Sequence, residues 1–222
     1  MHVTALLPMK GHSERVSNKN LRPMCGKPLF HHVAGVLQEC ELVDSFIINT
    51  DSETIADQAC KAFPKAVIHW RPETICGDMV DMNRIIAHDL TLCEGEHFLQ
   101  THSTNPLLTV ETMTQGIRDY FEALGEHDSL FSVTRLQTRL YWEDGRPVNH
   151  NPKELLRTQD LPLLFEENSN FYVFSKESFQ AARNNRLGVR PKMFLMTPLE
   201  ALDIDEEVDF IMAETLLENR VE

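Results

Sequence analysis

Residues 3–13 read Val3-Thr4-Ala5-Leu6-Leu7-Pro8-Met9-Lys10-Gly11-His12-Ser13. The chain continues Glu14-Arg15-Val16-Ser17-Asn18-Lys19-Asn20 and soon reaches Gly26-Lys27-Pro28-Leu29. A short apolar run thus passes into a long polar loop and then into helical spacing. Leu29, Val33, Val36, Leu37 and Cys40 make one face of that helix, and Pro28 suits its first position, which needs no backbone donor. A run so short and so apolar predicts a strand buried on both faces, as parallel strands are.

The same rhythm repeats outward. Residues 46–49 read as the second strand, and Thr50-Asp51-Ser52 caps a helix with Ile55, Ala59 and Phe63 inward. Residues 66–69 are a strand, Met82, Ile85, Ile86, Leu90 and Cys93 a helix, and 97–100 a strand. Met113, Ile117, Tyr120, Phe121 and Leu124 mark a helix, and 129–133 a strand. This alternation predicts an α/β fold: a mostly parallel sheet covered by helices on both faces. The loops after the strands then share one edge, where ligands of such sheets bind. Periodicity fades over 135–165, which reads as an inserted excursion, a lid or dimer arm, within one domain spanning 1–222. Strand character returns at 171–174, and Val208, Ile211, Met212, Thr215 and Leu216 lie on one face of a last helix.

Composition narrows the function. Thirty-four acids against 21 bases give a net charge of −13, which speaks against a nucleic-acid partner. No apolar stretch approaches the ~18 residues of a membrane helix, and the opening residues read as a strand rather than a secretion signal. The five cysteines are odd in number and widely spaced, which speaks against a disulfide framework and for reduced thiols in the cytoplasm. Against this acidic background the first 30 residues carry five bases and only Glu14, a local excess of positive charge. In the first loop, Gly11 permits close backbone approach, Ser13 offers a hydroxyl, and Lys10, Arg15 and Lys19 supply charge, which together suit an anion. The loop matches neither the P-loop nor the dinucleotide-binding glycine pattern.

Near the end, Leu202-Asp203-Ile204-Asp205-Glu206-Glu207-Val208-Asp209-Phe210 places two carboxylates on one side of an extended chain and Ile204 on the other. Asp203 and Asp205 repel unless a cation or donor lies between them, and Mg²⁺ suits such a pair. The acids that follow also complement the positive end of the last helix, and Asp205 is a candidate cap.

The pattern Gly-x-Ser-x-Arg-Val-x-x-Lys-Asn followed by Gly-Lys-Pro-Leu resembles the cytidylyltransferases that activate sialic acids and related nonulosonic acids, the CMP-N-acetylneuraminate synthetase family. The resemblance runs from residue 3 to about 217 and is weakest over 135–165. It implies a Rossmann-like nucleotidyltransferase fold. It also implies nucleotide contacts from Lys10, Gly11, Ser13, Arg15, Lys19, Asn20, Arg71 and Asp78, the last two from Arg71-Pro72-Glu73 and Gly77-Asp78. Lys10 stands where the family has Arg, and Glu14 where it has Lys. The run Leu99-Gln100-Thr101-His102-Ser103-Thr104-Asn105-Pro106-Leu107 resembles the family's Leu-Gln-Pro-Thr-Ser-Pro-Leu, and either Gln100 or His102 takes the place of its sugar-side Gln. Residues 167–173 resemble the strand bordering the sugar pocket, implying contacts from Asn168 and Tyr172, with Ser169 in place of Gly. A sugar acid calls for a bidentate Arg, for which Arg139 and Arg157 are candidates. The implied activity is transfer of CMP from CTP to a nonulosonic acid, with Lys10, Arg15, Lys19 and Asp205 catalytic, Asp203 and Asp205 on Mg²⁺, and a homodimer as the assembly. The alternatives are a cytidylyltransferase for an eight-carbon sugar acid and a nucleotide-binding homologue without catalysis.

Overall fold

A computed structural model describes residues 1–13, 16–77 and 79–219. In chain order its elements are β1 (Val3–Leu6), β2 (Pro23–Met24), β3 (Lys27–Pro28), α1 (Phe30–Glu39), β4 (Val43–Thr50), α2 (Glu53–Ala62), β5 (Ala66–Trp70), α3 (Met82–Leu92), β6 (His97–Thr101), α4 (Val110–Ala123), β7 (Ser129–Leu136), β8 (Leu164–Ser175), α5 (Lys176–Ala181), β9 (Pro191–Met196) and α6 (Glu207–Glu218). Seven strands form one sheet in the order β5-β4-β1-β6-β8-β7-β9, and β2 and β3 make a separate ribbon. β1 pairs in parallel with β4 and β6, β4 with β5, and β7 with β9. Within this seven-stranded sheet β8 alone runs antiparallel, to β6 and to β7, and β2 and β3 are antiparallel to each other.

The period-2 alternation of buried strands sorts side chains between two cores. Ala5, Leu7, Phe46, Ile48, Leu99, Phe171 and Val173 face α1, α2 and α4. Their neighbours Leu6, Ile47, Phe98, Tyr172 and Phe174 face α3 and α5. The α/β fold with helices on both faces, expected from sequence, is therefore the fold observed. The Ser52 hydroxyl accepts from the Ile55 N–H and caps α2, also as expected.

Several local expectations are corrected. Pro28 belongs to β3, and α1 begins at Phe30, which is fully buried although the expected face omitted it. In α6 the face holding Val208, Ile211, Met212 and Leu216 points outward. Phe210 and Ala213 point inward instead, against Val16, Met24, Leu29 and Ile204. Glu206, not Asp205, is the cap. Asp209 accepts from the Glu206 N–H at 2.8 Å, and this capping box fixes where the helix begins. Residues 137–163 leave the sheet between β7 and β8, with an isolated bridge from Tyr141 to Pro147 and Trp142 and Leu155 exposed. Among the described residues no helix is long and apolar enough to cross a membrane.

Gly116 lets α4 sit directly on β8. A Cβ there would lie 2.6 Å from the ring of Phe171, itself fully buried. Gly116→Ala gains ~1 kcal/mol of helix propensity but overpacks this seam by ~1–3 kcal/mol. We expect a net loss of stability, read as a lower urea midpoint with unchanged slope.

Candidate active site

The strand order reverses beside β1, which is followed by β4 on one side and flanked by β6 on the other. Open α/β sheets bind ligands at such a switch, beyond the carboxyl ends of the strands. The loop after β1 and residues 102–105 after β6 meet there. Asn20 joins them: its Nδ2 donates to the Lys10 carbonyl oxygen at 3.0 Å, and its Oδ1 accepts from the Ser103 hydroxyl at 2.7 Å. The acidic turn of residues 202–205 closes the same rim. The Ile204 N–H donates to the Thr104 carbonyl oxygen at 3.0 Å, and Asn105 Nδ2 donates to that of Leu202 at 3.3 Å. Lys19 Nζ donates to the Ile204 carbonyl oxygen and lies 4.0 Å from Asp205 Oδ1. Thus Lys10, Lys19 and Asn20 are brought to one rim with Asp203 and Asp205, although 185 positions separate Lys19 from Ile204.

Asp203 shows the cost of this gathering. Crowding at the rim raises its carboxyl above the ordinary value, and repulsion from Asp205 adds to that; the Thr104 hydroxyl and Lys19 oppose it. A cavity of about 590 Å³ opens beside the two aspartates, lined also by Thr134, Arg135, Glu167 and Asn168. Among the described residues no three His, Cys, Asp or Glu side chains converge as a metal cage. A pair of carboxylates fits an ion that takes its other ligands from phosphate oxygens and water, as Mg²⁺ does.

On the β4–β5 side, the Gly11 N–H donates to Asp51 Oδ1 at 2.7 Å, and a Cβ at Gly11 would lie 2.9 Å from the Ser52 Cβ. The close approach that requires glycine here is to the chain's own turn. Ser13 is buried in this loop. Arg71 also serves the scaffold. Its Nε donates to Asn49 Oδ1 at 2.7 Å, and its Nη2 donates to the carbonyl oxygens of Asn49 and Met9 at 3.0 and 3.3 Å. Asn49 Nδ2 in turn donates to Asp89 at 2.7 Å, and His69 Nδ1 meets the same oxygen at 2.9 Å. Burial raises the Asp89 carboxyl and lowers the Arg71 guanidinium. Asp89 was absent from the sequence-derived site; the available signal was a lone acid on the apolar stripe of Ile85, Ile86 and Leu90.

On the β6–β8 side, Gln100 is fully buried, and its Nε2 lies 2.8 Å from the Thr101 carbonyl oxygen and 3.2 Å from His102 Nε2. Both candidates for the sugar-side position therefore belong to one cluster. The Tyr172 hydroxyl donates to Glu167 at 2.5 Å and lies 3.1 Å from Ser169 Oγ, while burial pushes its pKa up to about 12. Asn168 is held by Ser132 at 2.6 Å and by Thr134 at 2.9 Å. Arg139 and Arg157 are not brought to the rim. Arg139 donates to the Leu156 carbonyl oxygen, and Arg157 pairs with Asp160 at 2.6 Å on an exposed surface. Arg15 and Asp78 lie outside the described residues. Arg186, which sequence reasoning missed, donates to Gln100 Oε1.

Such a rim, with cations from the first loop facing an acid pair on a nucleotide-binding sheet, defines a nucleotidyltransferase-like site. The family model described as Cytidylyltransferase matches residues 4–221, so the chain belongs to the cytidylyltransferase family. It is 24% identical to the CMP-N,N'-diacetyllegionaminic acid synthase of Legionella pneumophila, over 98% of this chain and 97% of that one. It is 22% identical to the Post-translational flagellin modification protein B of Campylobacter coli, over 95% and 93%. With the N-acylneuraminate cytidylyltransferase A of Danio rerio it shares 27% identity over 96% of this chain, but it spans only 50% of that longer protein. Among solved structures, a CMP:2-keto-3-deoxy-manno-octonic acid synthetase in complex with CTP superposes with a TM-score of 0.72 at 12% identity, over 100% of both chains. That likeness bears on the fold.

The rim also sets a dependence on pH. Burial, with Arg186 and Lys19 nearby, pushes the His102 pKa down to about 3. The unfolded chain, with an ordinary imidazole near 6.5, binds a proton that the folded chain refuses. Stability is therefore full above about pH 6.5 and falls on acidification, by up to about 1.4 kcal/mol per pH unit from this group. We expect denaturation midpoints to drop between pH 7.5 and 5, and His102→Gln to flatten that slope. An NMR titration should show the His102 ring neutral throughout the interval.

Proposed function

We propose that the protein transfers CMP from CTP to the anomeric hydroxyl of a nonulosonic acid and releases pyrophosphate. The observation that carries this reading is the meeting of Lys19 with the turn holding Asp203 and Asp205 at the switch point of the sheet. The family membership and the relatives named above support the nucleotide and the class of sugar. In this reading the triphosphate lies along the first loop, where Lys10, Arg15 and Lys19 stabilise the charge that develops on the leaving pyrophosphate. The sugar lies toward β6 and β8, its hydroxyl aimed at the α-phosphorus for in-line attack. A bound Mg²⁺, held by Asp203 and Asp205 together with phosphate oxygens, would neutralise triphosphate charge. The cysteines are all free, which supports a reducing compartment, the cytoplasm.

Two measurements test this. Pyrophosphate release from CTP is followed with a panel of nine-carbon and eight-carbon keto acids. Release with a nine-carbon acid is expected; release only with eight-carbon acids assigns the other sugar class, and CTP binding without any release assigns a non-catalytic homologue. Asp205→Asn is expected to lower turnover at least about 10³-fold at unchanged melting temperature, and near-normal turnover removes Asp205 from the chemistry. We also propose a homodimer through residues 135–165, where Tyr141, Trp142 and Leu155 are exposed. Sedimentation is expected to give twice the chain mass at micromolar concentration, and Trp142→Asp to shift it toward the monomer.

A further inference from the structure

Arg186 lies between α5 and β9 and stacks on Tyr172, its Cζ 3.7 Å from the ring centroid. Its Nη1 donates to Gln100 Oε1, and its backbone N–H donates to Asn83 Oδ1 at 3.3 Å. One face and one edge of the guanidinium are thereby fixed. The guanidinium has five N–H donors, of which Gln100 takes one and the Tyr172 hydroxyl lies within reach of another. Glu167 and Asp81 act on it only at a distance, and among the described residues no carboxylate pairs with it. A half-buried cation held in place by neutral groups is a costly arrangement unless an anion completes it.

We propose that Arg186 binds the carboxylate of the sugar acid, with Gln100 and Tyr172 holding its guanidinium for that contact. A planar fork braced on an aromatic ring matches a carboxylate, which two parallel N–H donors can grip. One guanidinium supplies one charge, which matches a single carboxylate better than a polyphosphate. His102 stands 3.2 Å from Gln100 Nε2, and both Arg186 and Lys19 act on its ring. The rim then holds two distinct anion sites, one for the triphosphate and one for the sugar acid. The assignment replaces Arg139 and Arg157 in that role and rests on the sugar-acid reading above.

The test uses the full chain, CTP, N-acetylneuraminic acid and the carboxamide of that sugar. Two readouts are taken: pyrophosphate release, and the NMR signal of the Arg186 Nε–H, assigned by its loss in Arg186→Gln. The wild type is expected to favour acid over amide, and its Arg186 signal to shift with the acid alone. Arg186→Gln is expected to raise KM for the acid about 10- to 100-fold, to leave KM for CTP within about twofold, and to erase the preference for acid. Arg186→Lys should recover part of that preference. Gln100→Glu places an internal carboxylate on the guanidinium and should raise the same KM, which serves if Arg186→Gln melts early. Preference for the acid retained in Arg186→Gln, or a rise in KM for CTP instead, overturns the assignment, the latter pointing to a phosphate contact. A shift without turnover removes only the proposed reaction; turnover without a shift removes only Arg186.

Discussion

The site depends on one reach across the chain: Lys19, in the first loop, grasps the backbone of Ile204 and stands beside Asp205. Without that cation, two acids facing the same side would push the turn open. With it, the turn is seated on Thr104 and Asn105, and Ile204 becomes the plug of a small core shared with Val16, Leu29 and Phe210. The same lysine therefore holds the acids together and presents charge to whatever enters. Asn20 performs the matching task one residue on, tying the loop to Ser103.

A second constraint lies beneath the nucleotide side. Arg71, Asn49, Asp89 and His69 form a buried polar chain, and Arg71 binds the carbonyls of Met9 and Asn49 where β1 and β4 end. Satisfied networks of this kind rigidify what they touch. Here they fix the exit direction of two strands, and thereby the place where the first loop starts. The family pattern marks Arg71 as a nucleotide contact; in this chain its Nε and Nη2 also brace the start of the first loop from within.

The parallel half of the fold was legible because buried strands and amphipathic helices carry strong periods. Val33 and Leu37, or Met113 and Ile117, declare their faces without help. The remainder was hidden for physical reasons. β9 alternates buried Phe194 and Met196 with exposed Met193 and Leu195, apolar on both faces, so its sequence shows no alternation. α5 has only six residues, too few for a period. α6 carries apolar residues on two faces, Phe210 and Ala213 inward and Val208, Ile211, Met212 and Leu216 outward, so its outward face reads as an inward one. Within the site, the Lys19–Asn20 loop and the Asp203–Asp205 pair were readable because each is a local pattern of charge. Arg186 was not, since its meaning comes from Gln100 and Tyr172, which no local spacing connects to it.

The seat of Ile204 has a consequence for biogenesis. Among the described residues, the core around Val16, Met24 and Leu29 is completed by Ile204, Phe210 and Ala213, which follow far along the chain. The sheet segments β1, β4 and β5 can pair much earlier, since their contacts are local. A nascent chain thus passes through a stage with a formed sheet, an unclosed first loop and bare apolar side chains at its rim. Closure of that rim therefore waits on Ile204 and α6, and a chain cut short before α6 would leave that surface uncovered for quality-control factors to recognise.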